Sequence, residues 1–265
     1  MNVIRVDDPD DPRLAAYREI RERDLSGRLG RFVAEGKVVL NVLFGARRFA
    51  AESVLVLESR LGGLAGTLGM SPPSLPVYAA SQRVMDEIAG FHVHRGILAI
   101  GLRRRPEAAD ELLATLPARL LVLVLVGISN HDNVGAIFRN AAAFGANAVL
   151  LDQTCCDPLY RKAIRVSVGA TLKVPFAMTG DAFELAGILA ARGFGQFALS
   201  PAGQIEIGEC VRPDRLALYL GSEGGGLPER LMSRLTTVRI AMASGFDSLN
   251  VAAASAIALH RLASC

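Results

Sequence analysis

No stretch of this 265-residue chain stays apolar long enough to cross a bilayer. The longest uninterrupted run, Leu120 to Val126, covers seven residues, against about twenty for a spanning helix. The opening residues carry Asp7, Asp8, Asp10 and Asp11 and no apolar signal-peptide core. Cysteine is scarce: Cys155, Cys156, Cys210 and Cys265 form no Cys-x-x-Cys pair. Adjacent Cys155 and Cys156 are poorly placed to bridge one another, so reduced thiols are favoured over a disulfide or metal framework. Lysine is nearly absent as well, since Lys37, Lys162 and Lys173 are three of the 29 basic residues. Two nucleotide-binding signatures are missing. The turn after Val126 has no Gly-x-Gly-x-x-Gly, and the glycine-rich turn at Gly221 has no Walker lysine. These absences lead to the expectation of a cytoplasmic globular protein without membrane association or bound metal.

What is present fills a core: 51% of the residues are hydrophobic, enough for one large domain or two ordinary ones. Charge is unevenly spread. The first 105 residues hold 16 Lys/Arg against 12 Asp/Glu, and the remainder 13 against 14. The surplus is densest from Asp11 to Arg48, which includes Arg13, Arg18, Arg21, Arg23, Arg28, Arg31, Lys37, Arg47 and Arg48. Arginine's planar fork suits bidentate contact with phosphate and base edges, so this stretch reads either as a polyanion-binding surface or as an ordinary solvated face.

Composition changes near Arg103-Arg104-Arg105-Pro106. Before it, Arg13 to Glu22 and Lys37 to Phe49 read as helices, and Ser53 to Leu57, Pro76 to Tyr78 and Gly96 to Ile100 as short strands. The Gly62-Gly63, Gly66, Gly69 and Pro72-Pro73 stretch reads as a flexible loop. Such alternation over about a hundred residues predicts a small α/β sandwich. From Ala118 the pattern becomes doubly wound. Leu120 to Val126 reads as a strand buried on both faces, Val134 to Phe144 as a helix capped by Asn133, and Ala148 to Leu151 as the next strand. Further strands are expected at Phe197 to Leu199, Leu216 to Leu220 and Val238 to Ala241, with helices at Ala182 to Ala191 and Leu249 to Leu262. The fold class is therefore α/β.

Three segments of this half look like parts of one site: Asn133-Val134-Gly135-Ala136-Ile137-Phe138-Arg139, Leu220-Gly221-Ser222-Glu223-Gly224-Gly225-Gly226-Leu227, and Ile240-Ala241-Met242 followed by Ser248-Leu249-Asn250-Val251. Each sets a turn-forming glycine or asparagine and a polar side chain beside an apolar run. In order and spacing the set resembles the three motifs of the SpoU/TrmH family of RNA ribose 2'-O-methyltransferases. Arg31-Phe32-Val33-Ala34-Glu35-Gly36-Lys37 is similar to the F-x-x-E-G-x opening of that family's N-terminal RNA-binding domain. His94-Arg95-Gly96-Ile97-Leu98-Ala99 is similar to the strand closing it, with Arg95 where glutamine is frequent. Ala241 departs from the family pattern, which usually has proline there.

The resemblance implies a SPOUT-type parallel sheet with a deep trefoil knot near the C-terminus, behind a small N-terminal α/β sandwich of ribosomal-protein-like type. It divides the chain into an RNA substrate-binding domain at 1–105, a linker with a lead-in helix at 106–118, and a knotted methyltransferase domain at 119–265. It implies S-adenosylmethionine as cofactor, held by Leu199, Gly221, Ile240 and Leu249. Without it, Ile240 and Leu249 read as ordinary core residues. The catalytic residues it implies are Arg139, Asn133, Glu223, Ser248 and Asn250. Arginine almost never deprotonates, so Arg139 is expected to clamp an RNA phosphate and orient the ribose, with Asn133 and Glu223 fixing Arg139 and the neighbouring loops. Arg31, Lys37 and Arg165 are the expected RNA contacts. His92 and His94 would share a strand face, but no third ligand is near in sequence, which favours structural or RNA-contacting roles over metal.

The function implied is transfer of a methyl group to a ribose 2'-hydroxyl of structured RNA, ribosomal RNA before transfer RNA, by a homodimer joined through its C-terminal domains. A non-catalytic RNA-binding homologue is the competing reading. A nucleotide-dependent oxidoreductase lacks its phosphate loop.

Overall fold

The computed structural model describes residues 2–18, 30–90, 92–245 and 247–263. Arg21, Arg23 and Arg28 of the basic stretch, the end of the helix expected to reach Glu22, and Cys265 lie outside the described residues. The chain divides into two compact units, Met1–Arg105 with Leu159–Lys173, and Pro106–Pro158 with Val174–Cys265. No described helix is long and apolar enough to cross a membrane.

The first unit is built on five strands: β1 (Asn2–Val6), β2 (Arg31–Glu35), β3 (Ala50–Leu57), β4 (Pro76–Ala80) and β5 (Ile97–Leu102). Their order is β1-β4-β3-β5-β2, parallel from β1 to β3 and antiparallel through β5 to β2. Helix α1 (Lys37–Ala46) follows β2, and α2 (Gln82–Ala89) follows β4. The Ser81 hydroxyl accepts from Val84 N at 3.4 Å to cap α2, and left-handed Gly90 ends it. Leu14, Tyr17, Leu55, Met85 and Leu98 form the core, where the buried Tyr17 and Ser53 hydroxyls satisfy each other through a 2.7 Å hydrogen bond.

Several expectations for this unit change. From Arg13 the chain makes only a 3-10 turn, Pro12–Tyr17, and Arg18 is already extended. The helix expected to run to Phe49 stops at Ala46, because Arg47 turns left-handed (φ 52°) and β3 begins at Ala50. The glycine-rich stretch expected to be a loop contains two helical turns, Gly62–Leu64 and Ala65–Leu68. Burial of Leu64 and Leu68 and a 2.7 Å bond from Thr67 Oγ1 to Asn41 Oδ1 hold them in place. Strands β1 and β2 and helix α2 were not foreseen.

The helical turns Arg161–Val166 and Ala170–Lys173 also belong to this unit, although they lie inside the 119–265 range. Arg161 reaches Glu35 with Nη2 and Nε, at 2.7 and 3.1 Å, and both side chains are largely buried. Gly169 (φ 85°) passes so close to α1 that a Cβ there would lie 3.1 Å from Val42 Cβ. Glu35 and Gly169 are thus held by packing between segments more than a hundred residues apart.

The second unit carries a wholly parallel seven-stranded sheet in the order β10-β12-β9-β11-β6-β7-β8, rather than the five strands expected. Helix α3 (Ala109–Ala114) leads into β6 (Leu120–Leu125). After β6 come α4 (His131–Ala143), β7 (Ala148–Leu151), β8 (Phe176–Met178), α5 (Ala182–Ala191) and β9 (Gly195–Leu199). The two-residue β10 (Ile205–Glu206), β11 (Arg215–Leu220), β12 (Thr236–Arg239) and α6 (Val251–Ala263) complete it. All six residues of β6 are buried, as a central parallel strand with both faces covered requires. Leu120, Val122 and Val124 pack with Leu185 and Leu189 of α5 and Leu112 of α3.

The chain leaving β6 is tied down before it enters α4. Asp152 Oδ1 accepts from Gly127 N, Thr154 N, Thr154 Oγ1 and Cys155 N at 2.8 to 3.1 Å. Cys155 Sγ accepts from Ile128 N and donates to the Leu125 carbonyl, both at 3.3 Å. Cys155, Cys156 and Cys210 are free thiols. Burial pushes the Cys155 thiol up strongly and the Cys156 thiol up to about 12.

Two tests follow from this packing. A Cβ at Gly101 would sit 2.1 Å from the Phe32 ring, so Gly101→Ala should cost about 1–3 kcal/mol and lower the urea midpoint. An unchanged midpoint would mean that Phe32 moves aside freely. The thiolate is the reactive form, and a raised pKa leaves less of it at pH 8. Cys155 and Cys156 should therefore alkylate at least about tenfold more slowly in the native chain than in urea, read peptide by peptide by mass spectrometry; equal rates would contradict their protection.

Candidate cofactor and catalytic site

In a parallel sheet the strands' C-terminal ends share one edge, and loops leaving that edge form the usual ligand crevice. Here β9, β11 and β12 are neighbours. The loops after them, starting at Ser200, Gly221 and Ile240, line a cavity of about 470 Å³, a size suited to a small molecule. Leu199, Gly221, Ile240 and Leu249, the four expected cofactor residues, all line it, as do Glu223, Ser248 and Asn250. Leu249 is 39% exposed, so it is no core residue. It offers an apolar face to whatever occupies the cavity. Ser200 and Pro201 also line the cavity, with nothing in their local sequence to mark them, and so does Met242, which belongs to the third motif segment but had no role assigned.

Gly221 is required by close approach rather than by its dihedrals. A Cβ there would lie 2.3 Å from the Gly226 carbonyl carbon and 2.4 Å from Leu227 N. The turn between them is closed by Gly226 N donating to the Ser222 carbonyl at 2.9 Å and by Gly225 N donating to Ser222 Oγ at 3.3 Å. Glu223 is thereby presented from a tight turn.

Three of the expected catalytic side chains meet directly. Asn133 Nδ2 donates to Glu223 Oε1 at 2.6 Å, and Asn250 Nδ2 donates to the same oxygen at 2.8 Å and to Asn133 Oδ1 at 3.1 Å. Two amide donors on one carboxylate oxygen stabilise its charge without a cation. Asn133 is buried in the first turn of α4 and does not cap it. The cap is Asn130, whose Oδ1 accepts from Asp132 N at 2.8 Å. The expected assignment fell three residues late, because both asparagines precede an apolar helical run.

Asn140, seven residues after Asn133, shares its helix face and was also missed. Its Nδ2 donates to the Ala252 carbonyl at 2.8 Å and to Ser255 Oγ at 2.9 Å, so both asparagines tie α4 to the start of α6. The seven-residue spacing was the available signal. Arg139 stands apart from this face. It lies about 120° around the helix from Asn133, is exposed and makes no bond to the Asn133, Glu223 and Asn250 cluster. Ser248 is exposed at the cavity.

The expected RNA contacts all lie in the first unit. Arg31 is engaged by Glu52 through two bonds of 2.7 and 2.9 Å. Lys37 Nζ donates to the Gly63 carbonyl at 2.8 Å, and Arg165 is exposed.

Comparison with known proteins bears on this geometry. The sequence profile of the SpoU rRNA Methylase family matches residues 120–260. A Mycobacterium bovis protein named as an uncharacterized tRNA/rRNA methyltransferase is 38% identical over 270 aligned residues, covering 98% of this chain and 91% of that one. A crystal structure of an RNA 2'-O ribose methyltransferase superposes with a TM-score of 0.76 at 25% identity, over 98% of both chains. An AdoMet-bound rRNA methyltransferase from Sinorhizobium meliloti superposes with a TM-score of 0.81 over 98% of this chain and 97% of that one. At 21% identity the latter likeness is one of fold, an α/β architecture with a parallel sheet.

Proposed function

This chain belongs to the SpoU rRNA methylase family, and on that premise we propose that it methylates a ribose 2'-hydroxyl of structured RNA in the cytoplasm, with ribosomal RNA as substrate and S-adenosylmethionine as methyl donor. The observation that carries this reading is the cavity at the edge of β9, β11 and β12, bordered by the hydrogen-bonded Asn133, Glu223 and Asn250.

The lining fits that donor. Leu199, Ile240 and exposed Leu249 give apolar walls for a flat neutral ring, and loop backbone is available to read its polar edge. When bound, S-adenosylmethionine supplies a methyl group that is electrophilic already, so the protein's task is to orient and activate a weakly acidic hydroxyl. Asn133, Glu223 and Asn250 keep the loops in fixed register. Arg139 holds an RNA phosphate and stabilises negative charge developing on the ribose oxygen, and Ser248 helps to position the RNA beside Leu249.

Residues 1–105 serve as the RNA substrate-binding domain, a ribosomal-protein-like α/β sandwich, and residues 119–265 as the methyltransferase domain, joined by the 106–118 linker and its helix. A separate N-terminal domain favours ribosomal over transfer RNA. A deep C-terminal knot belongs to the same proposal, and the close passage of Gly203 beside β12, where a Cβ would lie 2.3 Å from the Val238 carbonyl carbon, is compatible with it. A homodimer through α4 and α6 fits their mutual packing and the 44% exposure of Ile257 on α6, and light scattering on the full chain reads it. A fragment from residue 119 is unsuitable, because it lacks Glu35 and Val42, against which Arg161 and Gly169 pack.

The direct test maps ribose 2'-O-methylation across cellular RNA with and without the gene. One lost site in ribosomal RNA is expected. Loss confined to transfer RNA would move the substrate, and no loss at all would favour a non-catalytic binder. Two substitutions should separate the roles. Arg139→Ala should reduce methyl transfer at least about a hundredfold, a typical loss for a group that stabilises developing charge, while calorimetry finds S-adenosylmethionine bound within about twofold of wild type. Gly221→Ala should do the reverse first, weakening cofactor binding through the displaced turn. Equal loss of both properties in both variants would contradict this division.

A further inference from the structure

Outside the site described above, the first unit has a second cavity, of about 460 Å³. It is bordered by the start of α1, by Arg60, by His94 and Arg95 ahead of β5, and by Arg165 and Val168. Lys37, Arg60, His94, Arg95 and Arg165 make up half of its lining, and none of the lining residues is acidic. Arg60, Arg95 and Arg165 are exposed, and among the described residues no carboxylate pairs with them. Elsewhere in this unit arginines do find carboxylates, as Arg31 does with Glu52 and Arg161 with Glu35.

The backbone is shaped to bring these cations together. Gly36 has φ 94°, and a Cβ there would lie 3.0 Å from Arg95 Cδ and 3.2 Å from its Nη1. The Arg95 side chain therefore lies across bare backbone where α1 begins. Lys37 uses one proton on the Gly63 carbonyl, leaving two. On the other border, Val168 has φ 54°, a left-handed conformation that is costly for a β-branched residue. Close packing of Gly169 on Val42 holds it there. His94 is braced as well: its ring meets His92 edge-on with centroids 4.6 Å apart, and His92 Nδ1 is 2.7 Å from Asp86 Oδ2.

Gathering like charges without counter-charges opposes folding, and the opposition is relieved when a polyanion enters. Of the four apolar side chains in the lining, Val38, Val39, Ile97 and Val168, Val38 is the exposed one, at 57%. Cations around an exposed apolar contact match a nucleic-acid strand, which offers phosphates and flat bases in alternation. We propose that this cleft grips consecutive phosphates of the substrate RNA. Arg95 and Arg165 bind non-bridging oxygens, Arg60, Lys37 and His94 flank them, and Val38 rests against a base or ribose. The inference builds on the reading of this chain as an RNA methyltransferase. It assigns the RNA-binding function to Arg60, His94 and Arg95, and it joins residues of the N-terminal segment with two from the 159–173 turns in one binding surface.

The test uses the full-length protein and a fluorescein-labelled RNA hairpin of about 20 nucleotides, with binding followed by anisotropy from about 50 to about 200 mM salt. Arg60→Gln, Arg95→Gln and Arg165→Gln should each flatten the plot of log affinity against log salt by about 0.7 to 0.9, the range for one lost phosphate contact on a single strand or a duplex. Arg95→Glu and Arg165→Glu should weaken binding at least about tenfold at the lower salt. Arg83→Glu, on α2 and outside the cleft, is the control for net charge. Calorimetry with S-adenosylmethionine checks that each variant is folded. If the cleft reversals bind within about twofold of wild type, or lose no more than Arg83→Glu, the cleft is not the RNA site, while the methyltransferase reading stands. If wild type binds neither the hairpin nor ribosomal RNA, both fail together.

Discussion

The side chain of Asn250 faces two ways. Its Oδ1 accepts from Ala252 N and Ala253 N, capping α6, while its Nδ2 reaches Asn133 and Glu223. One amide thus fixes the start of the last helix, the turn after β11 and the first turn of α4, segments separated by 27 and 117 residues. An aspartate there would keep the cap but lose the donor and set a second carboxylate against Glu223. A serine would cap without reaching. The register of the loops around the cavity depends on this one side chain offering an acceptor and a donor at once.

The sheet makes that convergence possible. Because β12, β9, β11 and β6 are adjacent and parallel, the chain leaves all four at the same edge. Asp152 and Cys155 extend the same control to the loop between β6 and α4. Asn133 is therefore delivered by a well-tethered helix start. Asn140 repeats the linkage one face-length further along, so α4 and α6 are joined at two points. Rigid elements with paired buried polar groups hold a site more precisely than loops alone.

Strands buried on both faces were legible in the sequence, since a continuous Leu/Val run such as Leu120 to Leu125 has few alternatives. The three motif segments were legible too, because each pairs a turn residue with a polar side chain. What escaped was set by distant partners. Strand β1 is an edge strand whose pairing with Pro76–Ala80 is invisible locally. The turns near Gly62 exist because Leu64 and Leu68 find a core, which glycine content hides. The membership of 159–173 in the first unit rests on a buried ion pair and one glycine contact, and chain order does not predict either. Position 130 rather than 133 caps α4 for the same reason: the competing partner, Glu223, is 90 residues away from Asn133.

The distribution of charge separates the tasks within this protein. Around the first cavity the polar groups are amides and hydroxyls, and the single carboxylate that joins the cluster is satisfied by amide donors. That environment can hold a compact ligand firmly without drawing in polyanions. Among the described residues no Lys, Arg or His lines that cavity, and Arg139 sits on an exposed flank of its helix. A guanidinium inside the amide cluster would pair with Glu223 and be unavailable to a phosphate. Its position about a third of a turn away from the cluster leaves it exposed to solvent, as the proposed phosphate contact requires. Under the proposed function, ligand retention and polyanion capture fall to different residues, and each can be weakened without the other.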